Sequence, residues 1–327
     1  MENFGILAGP NHSTMNFIIN RGKPYKLGIA FSGGGAKGAA HCGALQAMQE
    51  FDIKADIVAG TSAGSIAAVL YSSGFTPIEI ANKFMLLDFK DLLGRQMPRG
   101  GLFDPSPLEA LLKEIIPYER IEDLPVKTVV VATSLERGCT QLFEEGEMAP
   151  RVTASCAIPI IYQPVEIEGE HYSDGGVLMN LPVNALRDRC EKVIALNLHH
   201  AQQEAYKNSL YSNAMRCLTL MFLSNTMSDA PRADLLIDID TADFSAYDLS
   251  QIEILYNIGY VTAVKTLEEN GYERKYPQAA CEFIHKDKQG AVEGIKMMAH
   301  EMMAKSGGIR ESAKEMLQSA AHKKKQS

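Results

Sequence analysis

Several things are missing from this chain, and each absence removes a class of function. Basic residues are not in excess: 32 Lys plus Arg stand against 40 Asp plus Glu, giving a net charge of −8 and a pI near 5.6. Nucleic acid is thereby disfavoured as a partner, because phosphate binding calls for clustered Lys and Arg. Closely spaced cysteines are missing too. The nearest of the 6 are Cys139 and Cys156, which leaves neither a C-x-x-C redox pair nor a zinc knuckle. No apolar run approaches the roughly 18 residues of a membrane span, and Met1-Glu2-Asn3-Phe4 lacks the basic start of a secretory leader. The expectation is a reduced, cytoplasmic protein.

What is present is an alternation of buried strands and helices within 327 residues. Lys26 to Phe31 reads as a buried strand, and Ala36 to Phe51 carries small apolar residues at helical spacing. Asp56 to Ala59 is a second strand, after which Ile66, Ala67, Val69 and Leu70 form a helical stripe. Strand, glycine turn, helix, repeated, implies parallel strands with crossover helices. Phe84 to Phe103, with Gly94, Pro98, Gly100 and Gly101, has the composition of a loop over a pocket. Leu108 to Ile116 reads as helix, and Lys127 to Thr133, Val165 to Ile167 and Lys192 to Leu198 as strands. A long helix over Gln202 to Thr226, a strand over Leu235 to Ile237 and a helix over Ser250 to Glu269 follow. The fold class is α/β, with a central, mainly parallel sheet between helices.

Two glycine turns carry the chemistry. Gly33-Gly34-Gly35-Ala36-Lys37-Gly38 offers bare backbone donors, and Gly60-Thr61-Ser62-Ala63-Gly64 presents a serine. Each follows a strand and opens a helix, the geometry of acyl transfer, in which a serine nucleophile needs amide N–H groups aimed at the oxyanion it creates. Gly33-x-Gly35-x-x-Gly38 also satisfies a dinucleotide fingerprint, but the acidic residue such a site needs at the end of the second strand is replaced by the serine turn. A phosphate loop fails because Lys37 precedes the last glycine. Asp238, Asp240 and Asp243 lack the glycine and glutamate of a calcium loop, and the pair His199-His200 has no second ligand cluster beside it. A Ser, Asp, His order through Asp174 and these histidines would suit an ordinary α/β-hydrolase, yet the serine turn comes too early in the strand order for that fold.

Four blocks in order, Gly33 to Gly38, Gly60 to Gly64, Ala154-Ser155-Cys156-Ala157-Ile158-Pro159 and Asp174-Gly175-Gly176, resemble the patatin-like phospholipases, bacterial-type serine acyl hydrolases. The resemblance implies a three-layer α/β/α fold and a Ser62–Asp174 dyad. Ser62 would attack the ester carbonyl and Asp174 accept its proton, while amides around Gly33, Gly34, Gly35 and Ala36 would hold the oxyanion. Lys37, Gly38, Gly60, Gly64, Gly175 and Gly176 would support the site, and His41 would be a packing or hydrogen-bonding residue. Lipid or another ester is the implied substrate, with no cofactor and no metal. A lipid-binding regulatory protein with little turnover is the rival reading.

The domain division expected is a lead-in over 1–25, a catalytic domain over 26–275 and a helical extension over 276–327. The extension has a Met-rich stripe through Val292, Ile295, Met298 and Met302 and ends in Lys323-Lys324-Lys325, so peripheral membrane contact is expected there, if anywhere.

Overall fold

The computed structural model describes residues 22–87, 101–200 and 203–277. Most of the expected lead-in, the centre of the expected pocket loop and nearly all of the helical extension lie outside the described residues. The strands are β1 (Tyr25–Phe31), β2 (Ile57–Thr61), β3 (Lys127–Ser134), β4 (Cys139–Phe143), β5 (Val165–Ile167), β6 (Glu170–Asp174), β7 (Cys190–Asn197) and β8 (Leu235–Asp238). The helices are α1 (Ala39–Glu50), α2 (Ala63–Ser72), α3 (Pro77–Phe84), α4 (Ser106–Ile115), α5 (Met148–Ser155), α6 (Gly176–Met179), α7 (Asn184–Arg187), α8 (Leu210–Asp229) and α9 (Ile252–Glu269).

β1 lies at the centre, parallel to β2 on one side and to β7 on the other, with β3 and β8 extending the parallel sheet outward. Strands buried on both faces read as continuous apolar runs, as Gly28-Ile29-Ala30-Phe31 and Val193-Ile194-Ala195-Leu196 do. Alternate side chains serve opposite layers. Ile29, Phe31, Ile194 and Leu196 join the larger core with α1, α2, α3 and α9, whereas Ala30, Val193 and Ala195 face the smaller core around α7. The architecture is the expected α/β/α sandwich, with β4, β5 and β6 adding antiparallel pairs to the mainly parallel sheet.

The register of β3 decides where the site forms. β2 pairs with Lys127 to Val131 of β3, and β4 pairs with Val130 to Ser134, so the shared residues put β2 and β4 on opposite edges. β6 pairs with Ala132 to Ser134, which β4 also occupies, so β6 lies on the β2 edge. β2 and β6 therefore run head to head along one side of β3. Thr61, the last residue of β2, is opposite Val131, and Asp174, the last residue of β6, is opposite Ala132.

Small residues in the first helix serve a helix contact as well as the sheet. A Cβ on Gly43 would lie 1.8 Å from the Tyr256 carbonyl oxygen, and one on Gly259 would lie 1.9 Å from that of Ala40. α1 and α9 thus cross backbone against backbone. Gly43→Ala is expected to destabilise the fold by about 3 kcal/mol, the upper range for overpacking, because the obstacle is main chain and cannot rotate away. A urea melt compared with wild type reads this directly.

Candidate active site

Ser62 sits where β2 hands over to α2, with φ 54° and ψ −127°. A residue bearing a Cβ enters this region only when its surroundings impose it. The imposing contacts are close: a Cβ on Gly60 would be 2.3 Å from the Gly64 carbonyl oxygen, and one on Gly64 would be 2.3 Å from that of Phe31. Only glycine at both positions lets the turn close. The Ser62 carbonyl accepts from the Ser65 amide at 2.8 Å and from Ser65 Oγ at 2.6 Å, starting α2. The Ser62 amide donates to Ser155 Oγ at 2.8 Å, and Ser155 Oγ donates to the Val131 carbonyl at 2.6 Å.

Ser155 is a residue to which the sequence assigned no role. It clamps the serine turn to β3 from the end of α5, fully buried. Ser155→Ala is expected to cost about 1–3 kcal/mol in stability, since it leaves a buried amide and a buried carbonyl without their partner. If Ser62 reacts, kcat should fall about tenfold with KM little changed, because the clamp sets the nucleophile's angle rather than the substrate's pocket. Thermal melts and steady-state kinetics of the variant measure the two effects.

Asp174 is fully buried. Its Oδ1 accepts from the Gly176 amide at 2.7 Å, while Oδ2 is buried without a hydrogen-bond partner. Burial raises its pKa from 3.8 to about 7, with the Ser62 side chain and the Gly176 amide pulling it partly back down. Ser62 is thus near enough to favour the charged carboxylate, although no hydrogen bond of good geometry closes from Ser62 Oγ to Oδ2. The carboxyl is held on the sheet by its own backbone, whose amide donates to the Ala157 carbonyl at 2.9 Å. Gly175 is needed at this end: a Cβ there would lie 2.3 Å from the Val131 carbonyl oxygen.

The Cys156 thiol lies against the same group, with Ser62 and Ser65 as side-chain neighbours. Burial pushes its pKa up, which keeps it a neutral thiol and removes it as a rival nucleophile.

The first glycine turn abuts the serine turn, since a Cβ on Gly33 would come 3.3 Å from Ser62 Cβ. Its four candidate donors are not equivalent. The Gly33 amide donates to the Asn180 carbonyl at 3.0 Å and the Ala36 amide to the Ala246 carbonyl at 2.8 Å, whereas Gly34 and Gly35 have no such acceptor among the described residues. Gly35 adopts φ +60°, and a Cβ there would meet the Ala246 oxygen at 2.4 Å. Of the four expected donors, the Gly34 and Gly35 amides are the ones left without a backbone acceptor among the described residues. Lys37 follows on the 3-10 turn Gly35–Gly38, half-buried, its pKa lowered by burial and supported by Asp240. Gly38 lets Phe84 and Ala63 approach the turn, and Gly176 lets Phe222 approach Asp174.

The histidines stand apart from the pair. His41 is buried, donates its Nε2–H to the Ser32 carbonyl at 2.8 Å, packs edge-on to Phe31 and has its pKa pushed down to about 4 by burial, so it is neutral. His199 Nε2 is 3.3 Å from the Thr219 carbonyl, and His200 Nε2 is 3.0 Å from Asp238. Both are engaged away from Asp174. Among the described residues no group of three or more His, Cys, Asp and Glu is placed to hold a metal, and no helix is long and apolar enough to cross a membrane.

Of the expected pocket loop, residues 88–100 lie outside the described part. Its return is stitched to the segment after Pro159, with Leu102 and Phe103 amides donating to the Ile160 and Ile161 carbonyls at 3.2 and 2.9 Å.

Residues 29–187 match the family model described as patatin-like phospholipase. An uncharacterized NTE family protein of Mycobacterium tuberculosis is 28% identical over 181 residues, covering 54% of this chain and 50% of that protein. The lysophospholipase NTE1 of Saccharomyces cerevisiae is 25% identical over 262 residues, covering 74% of this chain and 14% of the yeast protein. The chain thus spans half the length of this mycobacterial relative and far less of the yeast one. Among solved structures, VipD from Legionella pneumophila aligns at 15% identity with a TM-score of 0.46, over 90% of this chain and 79% of that one.

Proposed function

We propose, from the match of residues 29–187 to the patatin-like phospholipase family model, that this chain is a lipid acyl hydrolase working through a Ser62–Asp174 dyad. The observation that carries the reading is the head-to-head meeting of β2 and β6, which sets a strained serine turn beside a buried aspartate whose Oδ2 has no partner. An orphaned buried acceptor is costly, and its presence calls for a task. Here the task is to take a proton.

Ser62 Oγ attacks the ester carbonyl carbon while its proton passes to Asp174 Oδ2. The carbonyl oxygen becomes an oxyanion, held by the Gly34 and Gly35 amides at the N-terminal end of the 3-10 turn, each such donor contributing roughly 3 kcal/mol to the transition state. Collapse breaks the ester bond, and the leaving alcohol takes the proton back from Asp174. Asp174 then deprotonates water, which attacks the acyl-Ser62 carbonyl, and the fatty acid departs as Ser62 recovers its proton. An aspartate with an ordinary pKa is a weak base; one raised to about 7 is matched to work near neutral pH. The same burial leaves the histidines unnecessary, since both are engaged elsewhere.

Phospholipid or lysophospholipid is the substrate class. The test is release of free fatty acid from phosphatidylcholine and lysophosphatidylcholine by the purified full chain. Turnover that disappears in Ser62→Ala supports the reading. Lipid binding without fatty acid release by wild type would instead identify a binding protein.

A further inference from the structure

α8 presents to solvent a stripe that carries no charge. Its exposed positions recur at helical spacing and include Leu210, Cys217, Leu220, Met221 and Met227, with Asn213, Ser224 and Ser228 as polar but neutral members. Leu210 is 88% exposed and Met227 66%, while the only apolar side chain the helix fully buries is Leu218. A surface helix ordinarily shows the reverse pattern, with charges outward and apolar residues inward. The apolar patch therefore marks a contact surface.

Charge narrows the kind of contact. Residues 205–228 contain no Asp or Glu, in a chain that has 40 and a net charge of −8. The charged residues in that stretch are Lys207 and Arg216, both basic. No carboxylate lies within these residues, Glu204 just ahead of them is ion-paired with Arg216 at 3.1 Å, and Lys207 remains at the edge of the face for lipid phosphates. Tyr206 and Tyr211, 77% and 50% exposed, lie at the N-terminal end, and such amphipathic rings favour the headgroup level of a bilayer.

The stripe also adjoins the candidate site. Asn225 on α8 accepts from the Asn180 amide at 2.7 Å and donates to the Gly176 carbonyl at 2.7 Å, which fastens the helix to α6 directly after Asp174. Leu178 on α6 is 41% exposed, and Tyr247, 48% exposed, lies near both Tyr211 and Asp174.

We propose that the outer face of α8, with Leu178 and Tyr247, docks the protein on a phospholipid surface and so delivers ester to the adjoining site. This rests on the lipid hydrolase reading and places interfacial contact within the α/β domain, where the sequence pointed to the C-terminal extension. α8 lies on the surface in this arrangement, with its apolar side chains in the interfacial layer.

The experiment compares full-length wild type with Leu220→Glu/Met221→Glu and, separately, Met227→Glu, all at exposed positions. Sedimentation with phosphatidylcholine vesicles should fall about tenfold in the double variant and less in the single one, with unchanged thermal melts. Hydrolysis of a soluble short-chain p-nitrophenyl ester should be unaffected, while fatty acid release from the vesicles falls with binding. Equal vesicle binding by wild type and both variants would overturn the docking face. So would a wild-type dimer in sedimentation velocity that the variants dissociate, which would make the stripe a self-contact. Loss of vesicle binding in a protein that hydrolyses no ester at all would keep the docking face and remove the hydrolase reading, so the two failures are separable.

Discussion

Ser62→Ala is expected to reduce ester hydrolysis by about 10⁵-fold while leaving the melting temperature within about 2 °C of wild type. The proposed role makes the activity loss large, because it gives Ser62 the covalent step. What remains is binding and the Gly34 and Gly35 donors, which alone retain roughly 10³-fold or more over water in comparable sites. The stability change is small because the strain at φ 54° belongs to any residue with a Cβ, alanine as much as serine. The hydrogen bonds that shape the turn run through the Ser62 amide and carbonyl, which the substitution keeps. Hydrolysis assays and circular dichroism melts on one preparation separate the two quantities.

Asp174→Asn is expected to lower kcat by about 10³-fold or more and to raise stability at pH 8. Burial raises the folded-state pKa above its ordinary value, to about 7, so the fold favours the neutral carboxyl. A raised carboxylate pKa gives a stability contribution that is full below about pH 4, declines as pH rises and is lost above the folded pKa. At pH 8 wild type carries a desolvated charge whose cost is at most about 4 kcal/mol. Asparagine removes that charge and keeps an oxygen for the Gly176 amide. The gain in melting temperature should be several degrees at pH 8 and should shrink towards pH 5. With Asp174 as the proposed base, the same pKa should set the pH dependence of the reaction in wild type. Log kcat/KM should rise with unit slope up to about pH 7 and then level. A limb near pH 4 would show that Asp174 keeps an ordinary pKa and that another group governs the base step.

The local parts of the site were legible because their chemistry is written in consecutive residues. Gly60, Ser62 and Gly64 announce a sharp turn, and the clashes that a Cβ would meet show why two of them are glycine. Asp174 was legible only through resemblance, since what brings it to Ser62 is the antiparallel return of β6, and Glu170-His171-Tyr172-Ser173-Asp174 has no apolar alternation to reveal a strand. β4 was missed for a related reason: its Cys139, Thr140, Gln141 and Leu142 are only half-buried at the sheet edge. α5 was missed because Pro150 reads as a breaker, although in the first turn of a helix its missing N–H costs nothing.

The unequal standing of the four glycine-loop amides is a tertiary property. Asn180 and Ala246, which take the Gly33 and Ala36 donors, come from distant segments. α8 was expected over Gln202 to Thr226 and begins at Leu210, where Ser209 Oγ caps it by accepting from the Ser212 amide at 3.4 Å. Its burial pattern inverts the ordinary rule, with Leu218 the one apolar side chain the helix fully buries.

The central claim is that Ser62, in its strained turn, is the nucleophile. Its most direct test is treatment of the full-length protein with a fluorophosphonate, followed by peptide mass mapping. A single phosphonyl adduct on Ser62, absent from Ser62→Ala and slowed in wild type below pH 7, is the predicted result. An unlabelled wild type, or an adduct that persists in Ser62→Ala, would contradict it.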